Sequence, residues 1–164
     1  MSVSVRHALS SDAADMATLL NDIIAKGGTT AYETPFSREA MDASYISSPG
    51  VISCLVAVGQ DQLLGFQGLF TPEPDDRTPL GWGIIATFAD GRYTGQGVGR
   101  KLFEATLIEA RLAGISTIDA TIRADNTGGL AFYQRMGFRD YDRLVGVPLS
   151  NGMLVDRVRK KFEL

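Results

Sequence analysis

The feature that most constrains this chain is a run of glycines, Gly91-Arg92-Tyr93-Thr94-Gly95-Gln96-Gly97-Val98-Gly99-Arg100-Lys101-Leu102, set between an apolar segment and an amphipathic one. The apolar segment, Trp82–Phe88, reads as a buried strand that ends at Ala89-Asp90-Gly91. The segment after the run reads as a helix opened by Gly95, Gly97 and Gly99, reaching about Ala113 and stopped by Gly114. A strand that turns this tightly into a helix leaves the first N–H groups of the helix without partners. Glycines let the main chain curl and let an anion come close, and the helix dipole favours negative charge there. Strand, turn and helix together predict a pyrophosphate cradle, with Arg92, Arg100 and Lys101 adding positive charge beside it. A second reading stays open, that of a glycine-rich turn that only eases helix–strand packing.

Two common phosphate motifs are excluded. A Walker loop needs Lys and Ser/Thr directly after its last Gly, but Gly99 is followed by Arg100-Lys101-Leu102. The dinucleotide fingerprint needs Gly at its sixth position, which counted from Gly95 is Arg100. Its acid should close the next strand, and Asp119 sits inside that strand instead.

The remaining chain supplies the rest of one layered domain. Ser2–His7 alternates as a half-buried strand, and Ser10, Ser11 and Asp12 offer caps for a helix that Gly27-Gly28 ends. Ser37 caps a second helix around Arg38–Ile46. Val51–Val58 and Leu63–Phe70 read as strands at hairpin distance. Ser116–Ile122 makes a βαβ unit with Trp82–Phe88, hence one parallel pair of strands. A short helix at about Thr127–Met136 and two strands, about Phe138–Val147 and Leu154–Phe162, close the chain. The order β-α-α-β-β-β-α-β-α-β-β predicts a mixed α+β fold, with helices on both faces of one sheet. In the helix after the glycine run only Arg100, Glu104 and Arg111 share a polar arc, so it is expected to be packed on several sides. Arg157, Arg159, Lys160 and Lys161 read as a solvated edge strand protected by charge.

Composition narrows the function classes. At 164 residues the chain suits a single domain, residues 1–164, large enough for a sizeable core. With 16 Lys+Arg against 19 Asp+Glu the net charge is −3, a poor match for nucleic acid or an anionic membrane surface. The single cysteine, Cys54, allows no internal disulfide and reads as a packed small hydrophobe. No secretory pattern opens the sequence and no run is long and apolar enough to span a bilayer, so a cytoplasmic protein is expected. His7 is the one histidine, at a strand end, which leaves no His-based triad and no metal-ligand cluster.

The motif Arg92-x-x-Gly95-x-Gly97, between a buried strand and a helix, resembles the acyl-coenzyme A site of the GCN5-related N-acetyltransferases (GNAT). Downstream, Asn126-Thr127-Gly128-Gly129-Leu130-Ala131-Phe132-Tyr133-Gln134-Arg135-Met136-Gly137-Phe138 resembles the second signature of that family. The opening Val5-Arg6-His7-Ala8 with Asp12 is similar as well. A likeness to the phosphinothricin acetyltransferase branch lies in Asn21-Asp22-Ile23-Ile24, Thr29-Thr30-Ala31-Tyr32 and Pro35, although that branch has His where this chain has Tyr133.

The resemblance implies a mostly antiparallel sheet with one parallel pair, and a homodimer. It implies an acetyl-CoA-dependent N-acetyltransferase acting on a small primary amine, an amino acid or analogue among the candidates, by direct attack and without a metal. Non-catalytic acyl-CoA binding on the same fold is the alternative. The backbone of Tyr93, Thr94, Gly95, Gln96, Gly97, Val98 and Gly99, with Arg92 and Arg100, is then expected to hold the pyrophosphate. The edge of Ala86, Thr87 and Phe88 would take the pantetheine arm as an added strand would. A backbone N–H near Thr87 or Phe88 suits the oxyanion. Asn126 and Phe132 belong to the coenzyme site, Asn126 also as a helix cap. Tyr133 is implied as the general acid. For a base the sequence offers only loop acids, Glu33 first, then Glu73, Asp75 and Asp76, or a water chain. Loops 28–37 and 71–80 are expected to shape the pocket, and Trp82 to sit in the core or at the pocket border.

Overall fold

The computed structural model describes residues 2–74 and 77–164, so Met1, Asp75 and Asp76 lie outside the described residues. The elements run β1 (Ser4–His7), α1 (Ala13–Lys26), α2 (Arg38–Met41), β2 (Val51–Gly59), β3 (Gln62–Phe70), β4 (Trp82–Ala89), α3 (Val98–Leu112), β5 (Thr117–Arg123), α4 (Thr127–Met136), β6 (Arg139–Pro148) and β7 (Leu154–Glu163). The seven strands form one sheet in the order β1-β2-β3-β4-β5-β7-β6. Every pairing is antiparallel except β4 with β5. The predicted order and fold class are those observed.

The alternation of β2 and β3 builds two cores. Cys54, Val56 and Phe66 face one side, with Met16, Ala17 and Leu20 of α1 and with Met41 and Tyr45. Leu55, Ala57 and Leu64 face the other, against Val98 and Leu102 of α3. On that side Ile85, Ile118, Ala120 and Ile122 meet Phe103 of α3 and Tyr133 of α4. Fully burying a Leu or Met side chain contributes roughly 1.5–3 kcal/mol, so a few such contacts suffice to fix each helix on the sheet. Cys54 is a packed core residue, as expected, and burial pushes its thiol up to about 12.

Local chemistry sets the helix ends. Ser37 Oγ accepts from Ala40 N at 3.0 Å at the start of α2. The second helix does not continue regularly to Ile46, because Asp42–Ile46 widens into a π turn. Asp12 does not cap α1; its carboxylate takes the Leu9 N–H at 2.7 Å and both terminal nitrogens of Arg6. The α3 helix is less enclosed than expected, since Ile108 and Leu112 are 59% and 78% exposed.

The C-terminal basic strand is the main correction. β7 is not at an edge but lies between β5 and β6. Arg159 is 5% exposed because Asp119, itself 2% exposed, lies 3.3 Å away. Thr78 Oγ1 accepts from the same guanidinium at 2.8 Å, and the Tyr141 ring lies against it. Lys160 is buried on the other face with Asp140 at 2.5 Å. Interior charges are tolerated here because each has a partner. Trp82 packs edge-on against Tyr141.

Candidate active site

The parallel pairing of β4 with β5 ends early. Its register runs Trp82↔Thr117, Gly83↔Ile118 and Ile84↔Asp119, and stops. β4 continues to Ala89 with only β3 beside it, through Phe66↔Phe88 and Gly65↔Ala89. The strand edge from Ile85 onward therefore faces a cavity of about 880 Å³, within the size range of ligand sites. The family resemblance implied a free edge at Ala86–Phe88, and the parallel register ends just before it, at Ile84.

At the end of β4 the turn Gly91–Tyr93 leads into α3. Gly95 and Gly97 have φ of +82° and +78°, a region costly for other residues. Gly97 caps α3 without any side-chain acceptor. The first helical bond is Lys101 N to Gly97 O at 3.0 Å. Among the described residues the N–H groups of Gly95, Gly97, Val98, Gly99 and Arg100 have no acceptor, whereas those of Tyr93, Thr94 and Gln96 close the turn onto Asp90, Gly91 and Tyr93. The open donors thus begin later in the run than Tyr93. Gly99 has a second cause: a Cβ there would lie 2.5 Å from Phe132 Cε1, so a side chain would push α4 away from α3.

Opposite the strand edge, α4 presents Tyr133. Asn126 caps this helix, its Oδ1 accepting from Gly129 N at 3.0 Å, and Gly137 ends it at φ +104°. Asn126 Nδ2 also donates to Thr29 O at 3.0 Å. The Tyr133 hydroxyl lies 2.8 Å from Thr87 Oγ1. Thr87 Oγ1 accepts from Gln67 Nε2 at 2.9 Å, and Gln67 Oε1 accepts from Thr106 Oγ1 at 2.5 Å. Burial pushes the Tyr133 phenol up to about 12, with the charge of Asp119 adding to the rise and the Thr87 hydroxyl and amide opposing it.

The other wall lies toward α1. Tyr32, Tyr45 and Phe88 line it, the two tyrosine hydroxyls 2.9 Å apart. Burial raises the Tyr45 phenol. Thr121, Arg123 and Arg157 continue this wall on β5 and β7. Arg123 is bound to Asp125 through Nε and Nη2 and to Thr30 O through Nη1.

Of the residues singled out in the sequence, Ala86, Thr87, Phe88, Tyr93, Thr94, Gly95, Gly97, Val98, Gly99, Arg100, Asn126, Phe132 and Tyr133 line this one cavity. Gln96 is not among its walls. The Arg92 guanidinium turns away onto Asp90, at 2.7 Å, in a neighbouring groove. Glu33 lies outside the cavity: its carboxylate takes the Ser150 N–H at 2.8 Å in the β6–β7 turn, a bond that lowers its pKa below the ordinary range. Glu73 does not line the cavity, and Asp75 and Asp76 fall outside the described residues. Gln67, Thr106 and Arg123 were not singled out, and Arg157 was read only as part of a solvated edge strand. Gln67 carried a signal, a polar residue in the middle of an apolar strand, whereas Arg157 was hidden in a charge run. Among the described residues no group of His, Cys, Asp and Glu is arranged to hold a metal ion, and no helix is long and apolar enough to cross a membrane.

Comparison with known proteins places this geometry in a family. The chain is 31% identical over 103 residues to a mycothiol acetyltransferase of Gordonia bronchialis, covering 63% of this chain and 32% of that protein. It thus spans about a third of the length of that relative. A crystal structure of a ribosomal-protein-alanine N-acetyltransferase from Brucella melitensis superposes with a TM-score of 0.84 at 22% identity, covering 98% of this chain and 99% of that one. A phosphinothricin acetyltransferase from Sinorhizobium meliloti, solved in complex with AcCoA, superposes at 0.85 with 18% identity, over 100% and 89% of the two chains. These structures share the fold. Residues 20–138 match the Acetyltransferase (GNAT) family, and the chain belongs to that family.

Proposed function

We propose that residues 1–164 form one acyltransferase domain that moves acetyl from acetyl-CoA to the primary amine of a small molecule, by direct attack with both substrates bound. The observation that carries this reading is the convergence of three features on one cavity: the unpaired edge of β4, the open N–H groups at the start of α3, and the Tyr133 hydroxyl. The acetyl-CoA complex of the Sinorhizobium phosphinothricin acetyltransferase, on the same fold, supports the choice of coenzyme.

Each residue then has a definite task. The N–H groups of Gly95, Gly97, Val98, Gly99 and Arg100 bind the pyrophosphate, assisted by the dipole of α3. The free edge at Ala86–Phe88 aligns the amide-bearing arm as an added strand. A backbone N–H near Thr87 or Phe88 holds the developing oxyanion. Tyr133 supplies a proton to the departing thiolate. Its elevated pKa of about 12 keeps it protonated throughout the neutral range, as a donor requires.

The Gln67 chain orients that donor. With its oxygen taken by Thr106, Gln67 turns its NH₂ to Thr87 Oγ1. Thr87 then gives its own proton to the Tyr133 oxygen, and the phenolic proton is left for the sulfur. Water removes the proton from the attacking amine, since among the described residues the cavity wall offers one carboxylate, Asp90, and Arg92 occupies it.

Mass spectrometry of an amine panel incubated with acetyl-CoA tests the reading; an acetylated amine is the expected product. The lack of a free carboxylate among the described wall residues favours one rival, an acyl-CoA-binding module without turnover. Tight coenzyme binding with no product across a broad panel would establish that rival. A homodimer is the assembly the family resemblance suggests, and sedimentation equilibrium tests it.

A further inference from the structure

The cavity wall toward α1 carries a guanidinium that the fold itself does not use. Arg157 on β7 lies directly across from Arg123 on β5. Both alternate with core residues and share the face of Thr121, and both line the cavity. Arg123 is neutralised by Asp125. Arg157 is not: among the described residues it makes no hydrogen bond or ion pair, and its Nε is sealed from solvent without an acceptor.

Such an arrangement is costly. A guanidinium stays charged at any working pH. Like charges directly opposite on neighbouring strands are unfavourable, and a buried N–H without an acceptor is rare in native structures. An anion in the cavity beside Arg157 offsets the like-charge penalty by taking the two terminal nitrogens, which are not sealed from solvent. The planar fork of an arginine suits a carboxylate, which it can hold through two parallel N–H bonds.

We propose that Arg157 holds a carboxylate of the incoming amine, so that it sets acceptor specificity. The proposal rests on the acetyl-transfer reading above and names the group that the acceptor must carry. The level of the residue along the sheet agrees with it. From the last paired level, Ile84↔Asp119, Thr121 and Ala86 are two positions on, and Arg123 with Arg157 four. Arg157 therefore stands level with Phe88 and about one residue, or roughly 3 Å along the strands, beyond Thr87, the positions at which the β4 edge would hold the acyl group. An amine and a carboxylate on one small molecule span that interval together with the reach of the arginine. Tyr32, Tyr45 and Phe88 face the remainder of such a molecule with aromatic surface.

The test uses matched acceptors: one α-amino acid, its carboxamide, and the amine left by removing the carboxyl group, each with acetyl-CoA as donor. Expected is a kcat/KM at least about tenfold higher for the acid than for the other two, carried mainly by KM. Arg157→Gln should remove that preference without changing the KM for acetyl-CoA, and Arg157→Lys should restore part of it. Calorimetric titration of the same amino acid into protein saturated with CoA gives a reading that needs no turnover: binding is expected in the wild type and lost in Arg157→Gln. Equal use of all three acceptors overturns the proposal while leaving acetyl transfer intact. A preference that survives in Arg157→Gln, or a loss of coenzyme affinity in that variant, overturns it as well. Carboxylate-dependent binding without acetylation of any amine would instead refute acetyl transfer and keep Arg157 as the anion site.

Discussion

Thr87 and Tyr133 meet at 2.8 Å across the mouth where β4 leaves β5, joining a strand to a helix 46 positions later in the chain. The bond fixes the phenol against the free strand edge rather than leaving it to rotate in the cavity. Tyr133→Phe should lower kcat by roughly 10- to 100-fold, toward the weak end for acid catalysis because a thiolate is already a fair leaving group. The KM for acetyl-CoA should change little. A donor thioester with a more acidic thiol should narrow the gap between variant and wild type. An unchanged kcat in Tyr133→Phe removes the acid role.

Thr87→Val tests the orientation of the proposed acid separately. It keeps the shape of the side chain but deletes the oxygen that links Gln67 to Tyr133. The buried Gln67 NH₂ loses its acceptor, a cost of about 1–3 kcal/mol. If the threonine acts through the tyrosine, the double variant Thr87→Val/Tyr133→Phe should be no slower than Tyr133→Phe alone. Additive losses in kcat would show that the two residues act independently.

The absence of a free carboxylate among the described cavity residues has a kinetic consequence. Only the neutral amine attacks, and free amines have pKa values of about 8–10. Below the pKa of the acceptor, each added pH unit raises the neutral fraction about tenfold. The value of kcat/KM should therefore climb with slope one until it levels at the acceptor's own pKa, and the level should move when the acceptor is changed. Tyr133, pushed up to about 12, contributes no descending limb in this range. A plateau near pH 7 that is common to all acceptors would reveal an enzyme base.

Much of this was legible in the sequence because it rests on local chemistry. The glycine run, the Asn126 cap and the alternating strands are each decided within a few residues. The splay near Ala86 was legible only through the family resemblance, since no local rule makes a parallel pair part. The site of the C-terminal basic strand was not legible. Arg159 is acceptable inside only because Asp119, 40 positions earlier, is inside too, and no local rule sees such a pair. The spare guanidinium of Arg157 was hidden for the same reason, as it differs from its charged neighbours only in lacking a partner.

Two glycines of the same loop should fail in different ways. A Cβ at Gly97 meets no protein atom within 4 Å, so Gly97→Val strains the φ of +78° and projects into the space proposed for the pyrophosphate. Coenzyme affinity should fall in calorimetry, with a modest loss of stability. A Cβ at Gly99 strikes the Phe132 ring at 2.5 Å. Gly99→Ala should therefore lower Tm more than Gly97→Ala, and Gly99→Ala/Phe132→Leu should recover part of the loss. Normal CoA binding by Gly97→Val would dismiss the cradle.

The pair of Asp119 and Arg159 makes the sharpest stability prediction. The carboxylate is 2% exposed and takes the hydroxyls of Thr121 and Tyr141 as well as the guanidinium. Arg159→Met leaves a buried charge uncompensated, a loss of about 3–5 kcal/mol when one partner of such a pair is removed. At this chain length that corresponds to a fall in Tm on the order of 10 °C. Asp119→Asn should cost less, because Arg159 keeps Thr78 and an ion pair with Asp142 at 3.6 Å. The double variant Asp119→Asn/Arg159→Met should lie above Arg159→Met, since it no longer strands a charge in the interior. Urea denaturation of the four proteins measures the cycle. If Arg159→Met alone matched the wild type, water would have to reach Asp119, and the interior placement of β7 would be wrong.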